Sequence, residues 1–341
     1  MTDRIGSSID DVEALERVVG KMPGAMHLKV IDHLDAGALR WIAAAPLMFA
    51  GYGDAWSIDM TLGGGTAGFA RADAHRLCLP ATLLDRPATI RAGMAFGSLF
   101  LIPGLGETLR VNGRVTSADA NEIVVAVHEC YGHCAKALIR SQWWEAAPIV
   151  DAPVDRTSFI AASRFVALAT IDAEGRADLS PKGDPAGRMA RLEGDTFWFA
   201  DRPGNRRVDS FRNILAHPHV AAAVLIPGSD RVMFLRGIAQ LTTDETARSH
   251  FVVQDRTPLL AVRVETSHLD LHTSAALARA RLWPVATKTH EIEPARLFME
   301  HIKQNRERGF AAKLASAALA VPGAKALFRK GLEKDYRDNL Y

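Results

Sequence analysis

Two stretches of this 341-residue chain concentrate side chains able to hold an anion. One is Arg176-Ala-Asp-Leu-Ser-Pro-Lys-Gly-Asp-Pro185, and the other is Asp201-Arg-Pro-Gly-Asn-Arg-Arg-Val-Asp-Ser-Phe-Arg-Asn213. In the second, Pro203 and Gly204 make a turn, after which Asn205, Arg206 and Arg207 open a short helix ending at Leu215. Val208, Phe211, Ile214 and Leu215 are its apolar face. A helix N-terminus presents unpaired N–H groups and the positive end of a dipole, and paired arginines add forked donors, a combination suited to a terminal phosphate. Arg-Arg alone would read as a solvated turn; the flanking Asp209, Ser210 and Asn213 favour the anion site. The first stretch is expected to leave a strand for a Gly/Pro loop, where Lys182 can set an ammonium over an electron-rich ring or carbonyl.

A third cluster closes the first half: Cys130-Tyr-Gly-His-Cys-Ala-Lys-Ala-Leu-Ile-Arg-Ser-Gln-Trp-Trp144, preceded by His128 and Glu129. Its Cys/His density invites a metal reading, but a structural zinc site needs paired Cys units and four closed ligands, and Cys130-x3-Cys134 is a single unit. No metal is expected. Trp143 and Trp144 read either as core or as a ring wall for an aromatic cofactor.

The elements that must carry these residues repeat. Trp41-Ile-Ala-Ala-Ala returns as Phe159-Ile-Ala-Ala-Ser, and Leu101-Ile-Pro-Gly returns as Leu225-Ile-Pro-Gly. Gly113 falls on Gly237, and His133-x-x-x-Ala-Leu-x-Arg is echoed by His272-x-x-x-Ala-Leu-x-Arg. Four matches in one order point to a duplication. Each half reads as helix, strands, short helix, strands and closing helix, with second-half strands at 165–171, 196–200, 220–225, 232–241 and 260–271. Long helical crossovers are few, so a mainly antiparallel β-barrel with helices is expected. Ser8 is expected to cap an opening helix carrying Val12, Leu15, Val18 and Val19. A second helix runs from Asp35 to Ala44 and stops before Pro46. The expected organisation is a helical segment 1–34, halves 35–150 and 151–290, and a helical extension 291–341 that caps a domain.

Composition narrows the function. At 48% hydrophobic and 23% charged residues, with 41 basic against 39 acidic side chains, the chain can bury large cores and lacks the basic excess of a nucleic-acid binder. Three cysteines do not make a disulfide framework. The N-terminal stretch lacks the apolar core of a signal peptide, and the apolar runs are too short for a membrane span. A soluble, cytoplasmic protein is expected.

Ser180-Pro-Lys-Gly-Asp-Pro, Asp201-Arg-Pro-Gly-Asn-Arg-Arg-x-Asp-Ser, Ile102-Pro-Gly-x-Gly-Glu-Thr-Leu-Arg-Val-Asn-Gly-Arg and His133-Cys-Ala-Lys-Ala-Leu-Ile-Arg-Ser together resemble motifs of the pyridoxamine 5′-phosphate oxidase-like family, in its FMN-binding flavoprotein branch. The resemblance spans roughly residues 40–285. It implies a split β-barrel, usually a homodimer with FMN at each subunit interface. It implies that Arg206 and Arg207, with Asn205 and Ser210, hold the FMN phosphate, and that Asp178, Leu179, Ser180 and Lys182 flank the isoalloxazine. Lys136, Arg140, Ser141 and Trp144 would come from the opposite unit.

The motifs are divided between the halves. The first half has Leu62-Gly-Gly-Gly-Thr66 in place of the Ser-Pro-Lys-Gly loop, and Thr82 and Leu83 in place of Arg206 and Arg207. The second has Ala275 for Lys136 and Ala280 for Ser141. The expectation is two tandem split barrels forming a pseudo-dimer, monomeric or further dimerised, with one composite FMN site. The expected function is an FMN-dependent oxidoreductase acting on a small molecule, with NAD(P)H or another reductant. The alternative is a non-catalytic carrier of flavin, deazaflavin or haem on the same fold.

Overall fold

A computed structural model describes residues 8–21, 28–204, 208–285, 291–305 and 324–341. The chain enters through strand β1 (Ser8–Ile9) and helix α1 (Val12–Val19). Asp11, rather than the expected Ser8, caps α1: its carboxylate accepts from the Ala14 N–H at 2.7 Å. Ser8 is instead held in β1, where it pairs with Thr242.

The first unit begins with α2 (Ala36–Ala44), capped by Asp35 and ended before Pro46. It continues through β2 (Leu47–Gly53), β3 (Ile58–Gly64), β4 (Arg71–Ala72), β5 (Arg76–Pro80), β6 (Ala95–Leu101), β7 (Thr108–Ala118) and β8 (Glu122–His133), and closes with α3 (Lys136–Arg140). The second unit follows the same plan. Its elements are α4 (Arg156–Ala162), β9 (Phe165–Ile171), β10 (Ala177–Gly183), β11 (Ala190–Glu193), β12 (Thr196–Ala200), α5 (Asp209–Ala216), β13 (His219–Leu225), β14 (Arg231–Thr242), α6 (Glu245–Ser249), β15 (Ala261–Thr273) and α7 (Ala275–Ala280). Helices α8 (Pro294–Gln304) and α9 (Ala324–Asp338) complete the described chain.

The protein is mainly β, with two antiparallel sheets of matching order. One runs β3-β2-β6-β7-β8-β5-β4 and the other β10-β9-β13-β14-β15-β12-β11, with β1 added beside β14; both are open paths of strands. The Gly113/Gly237 echo has a physical cause. Each glycine sits at a bulge in the long hairpin, between β7 and β8 or between β14 and β15. A Cβ on Gly113 would strike the Ala126 carbonyl, and one on Gly237 the Glu265 carbonyl.

Among the described residues, three large apolar cores and one small cluster around Phe251 follow from this arrangement. Trp41, Phe96 and Phe100 centre the first unit, and Phe159, Phe197 and Phe211 the second. The third joins the two sheets: Phe49, Leu99 and Leu62 of the first meet Phe165, Ala167, Ala169 and Leu179 of the second. Strands β2, β6 and β9 are therefore buried on both faces, which is why their sequences are nearly continuous apolar runs, whereas the equally buried β3 alternates Asp59 and Thr61 with Ile58, Met60 and Leu62. The terminal helices cross over. Leu15 and Val19 of α1 pack into the second core, while α8 covers the first, with Leu297 in its core and His301 3.6 Å from Asp35.

Several expectations change at this level. The stretch expected to leave a strand at Arg176 is itself strand β10, paired along its length with β9. Pro181 is tolerated there because β10 is an edge strand, where a missing N–H removes no ladder bond. Helix α5 starts at Asp209, later than the expected Asn205; Asn205, Arg206 and Arg207 lie outside the described residues. Cys130 to His133 belong to β8, leaving only Lys136–Arg140 as the closing helix.

Candidate functional site

Strand β10 of the second sheet and helix α3 of the first unit meet backbone to backbone. Gly183 makes this possible, since a Cβ there would run into the carbonyl of Ala137. On α3, Lys136 and Arg140 are one turn apart and share a face. On β10, Asp178, Ser180 and Lys182 alternate onto one side, and Leu179 on the other enters the core between the sheets. The two faces border a cleft of about 760 Å³, completed by the 201–204 loop, the start of α5 and residues of the C-terminal segment.

The cleft is rich in cations. Lys182 Nζ lies 3.4 Å from Ser210 Oγ and 4.4 Å from the centroid of the Phe211 ring. Burial lowers the Lys182 ammonium below its ordinary value, although Asp201 and Asp178 pull the other way. Burial likewise raises Asp201, against Lys182 and Arg140. Asp178 is ion-paired to the buried Arg110, whose Nη1 also donates to Tyr131 Oη at 2.6 Å. Arg140 donates to the Pro203 carbonyl, tying α3 to the turn before the Arg206–Arg207 segment. Asp184 accepts from Arg202 Nε at 2.6 Å, and burial pushes its carboxyl up to about 6 in spite of that partner.

Of the expected site residues, Asp178, Ser180, Lys182, Ser210, Lys136 and Arg140 border this cleft. Leu179 is core. Ser141 is buried and donates to the Leu138 carbonyl, so it braces α3. Trp144 donates to the Leu105 carbonyl at 2.6 Å and packs edge-on to Trp143, which is itself core. Arg110, Asp184, Asp201, Arg202, Arg256 and Tyr341 border the cleft without having been anticipated. Asp201 and Arg202 were within reach of sequence reading, because they open the same Asp-Arg-Pro-Gly turn. Arg256 and Tyr341 carry no such signal.

The matching place on the other side of the molecule is built differently. Gly64 of β3 meets the Ala276 backbone of α7, as Gly183 meets Ala137. There, however, Arg279 donates to the carbonyls of Gly64 and Leu83, both at 2.9 Å. The Asp85 carboxylate accepts from Ser274 Oγ at 2.5 Å and from the Ala276 N–H at 2.9 Å. The cation and the helix start are satisfied by the chain itself, and Ala275 stands where α3 has Lys136.

Residues 156–283, which hold β10, the 201–204 turn and α5, match the model of the pyridoxamine 5′-phosphate oxidase family. The match covers a little over a third of the chain, and over that stretch the sequence is similar to the pyridoxamine 5′-phosphate oxidase family. Members of that family generally bind flavin, and the segment brings most of the cleft's second-unit wall with it. Among solved structures, the chain is similar to HupZ of Group A Streptococcus at 19% identity, over 33% of this chain and 88% of that one, with a TM-score of 0.28. It is similar to an F420 reductase at 16% identity, over 35% and 98%, with a TM-score of 0.27. It is also similar to General Stress Protein 26 of Bacillus anthracis at 14% identity, over 32% and 84%, with a TM-score of 0.26. No curated protein sequence matches the chain. Among the described residues no helix is long and apolar enough to cross a membrane.

Proposed function

We propose that the protein is an FMN-binding flavoprotein and an FMN-dependent oxidoreductase acting on a small molecule. Its two units, in this reading, are tandem split barrels forming a pseudo-dimer, with one composite flavin site between them. The observation that carries the reading is the convergence of Lys136 and Arg140 from one unit with Lys182 and Ser210 from the other on a single cleft. Its volume lies in the range of cofactor sites. The donor set fits a phosphorylated ring system: six Lys and Arg side chains border the cleft, and Asp178 and Asp184 are engaged by Arg110 and Arg202.

Arg206 and Arg207, with Asn205 and Ser210, would hold the phosphate, and Lys136 and Arg140 would add charge from across the cleft. Lys182, desolvated beside Phe211, would favour negative charge on the polar edge of the ring. When bound, FMN supplies transfer of a hydride or of single electrons between a reductant such as NAD(P)H and an acceptor. Asp184, with its raised carboxyl, is able to hold a proton in the wall of the site below about pH 6. On the opposite side, the pairing of Arg279 and Asp85 with the chain's own groups supports one site over two.

The purified protein is expected to be yellow, with one flavin per chain by absorbance and bleaching by NAD(P)H. Replacing Arg206 and Arg207 together by Ala should abolish flavin retention, whereas altering Thr82 and Leu83 should not. Two flavins per chain would end the single-site reading, and unchanged flavin in the arginine variant would end the phosphate assignment. A haem or deazaflavin spectrum would replace FMN as the ligand.

A further inference from the structure

The C-terminal segment reaches the cleft and uses the same cations. Asp335 at the end of α9 pairs with Lys136 Nζ at 2.9 Å. Tyr336 Oη accepts from the Ala135 N–H at 3.4 Å and donates to Glu107 at 3.2 Å. Arg140 Nε donates to the Leu340 carbonyl at 2.6 Å, and Arg256 donates to the Tyr341 carbonyl. The guanidinium carbons of Arg140 and Arg202 each stand 5.6 Å from the centroid of the Tyr341 ring, a distance at which a cation is drawn to an aromatic face.

How this segment is held differs from how α8 is held. Helix α8 buries Leu297, Phe298, Met299 and His301. Among the described side chains of residues 330–341, by contrast, none is fully buried. The contacts described for residues 333–341 are hydrogen bonds, an ion pair and cation–ring contacts at a partly exposed surface, the kind of attachment that opens at small free-energy cost. On the opposite side of the molecule, α7 is capped by Asp85 from within the first unit, a contact between two packed elements. The carboxylate that serves α3 comes instead from the C-terminal helix, at Asp335.

We propose that residues 333–341 form a releasable strap that closes the cleft over a bound phosphorylated ligand, latched by Asp335 on Lys136 and by the Tyr341 ring against Arg140 and Arg202. The ligand's identity rests on the FMN reading; the strap itself does not. The cleft keeps about 760 Å³ with the strap in place, so the segment acts as a wall and gate above the ligand and does not fill its volume. Entry and exit require the latch to open.

The three free thiols provide a test that needs no flavin. Cys134 borders the cleft beside the strap, Cys130 is buried in the first core, and Cys78 is half-buried on β5. Alkylation by iodoacetamide, followed residue by residue by mass spectrometry, is to be compared between the full chain and the double variant Asp335→Asn, Tyr341→Ala. The expected result is a rise of roughly five- to tenfold in the Cys134 rate, the size expected for losing contacts of this kind, with Cys78 unchanged. Continued protection of Cys130 shows that the fold is intact. An unchanged Cys134 rate overturns the strap. FMN uptake and release, followed by flavin fluorescence, should both be faster in the variant. Tighter FMN binding in the variant would make the segment a competitor and overturn closure. A chain that takes up no FMN while Cys134 responds as expected refutes the cofactor reading and leaves the strap standing.

Discussion

Asp184 shows how one buried carboxylate can set the pH behaviour of the whole cleft. Its carboxyl is pushed up to about 6 because burial disfavours the charged form more strongly than Arg202 restores it. As pH rises through 6, Asp184 therefore gains a negative charge among the cations that would face an anionic ligand. In titrations followed by flavin fluorescence, Asp184→Asn is expected to bind FMN a few fold more tightly than the parent chain at pH 7.5 and equally well at pH 5, the ionisation of the FMN phosphate at about pH 6 being common to both. Folding stability takes the same sign. The folded value lies above the ordinary 3.8, so the folded state binds the proton more tightly, and this contribution, present at low pH, is lost as pH rises through about 6. Asp35 has the opposite sign. Burial would raise it, but the His301 ring 3.6 Å away and hydrogen bonds from the Ala38 N–H and Gln304 outweigh burial and hold its carboxyl well below the usual range. That part of the attachment of α8 weakens as pH falls below the ordinary carboxylate range.

At the scale of elements, the site depends on one close approach made twice. Gly183 lets α3 lie against β10, and Gly64 lets α7 lie against β3. In each case an added Cβ meets a backbone carbonyl that no rotamer change can move. Gly183→Ala and Gly64→Ala are both expected to cost roughly 1–3 kcal/mol, read as a drop in Tm. Only Gly183→Ala should also weaken flavin binding, because only α3 carries Lys136. Equal loss of flavin in both variants would contradict a single site. Both helices and their echo are legible in the sequence, but β10 is not: Ser-Pro-Lys-Gly is turn chemistry, and only the edge position of β10 makes it a strand.

For the whole molecule, the core between the sheets makes the two units depend on each other. Phe165 lies 4.6 Å from the Trp143 ring and 5.6 Å from Phe49, centroid to centroid, so it touches parts of both units. Phe165→Ala is expected to cost about 3–5 kcal/mol and to lower one cooperative urea transition, seen at the same midpoint by tryptophan fluorescence and by far-UV circular dichroism. Two separated transitions would show that the units fold independently. The crossed terminal helices work in the same direction, since α1 packs into the second core and α8 into the first. Within the segment 1–34, α1 packs into the core of the second unit.

The sequence by itself determined the mainly β class, most second-unit strands, the echo of motifs between the halves and six of the residues bordering the cleft. These rest on local signals: apolar runs, turn residues, and charged motifs whose members are close together along the chain. Tertiary structure decided which of those residues meet. Leu179 and Ser180 are neighbours in sequence, yet the pleat of β10 sends one into the core and the other to the cleft. Arg110, Arg256 and Tyr341 reach the same cleft from distant parts of the chain, and no spacing rule connects them. The strap is the clearest case. Asp335 is an ordinary surface carboxylate in a mixed-charge helix until folding brings it within 2.9 Å of Lys136, about 200 residues away.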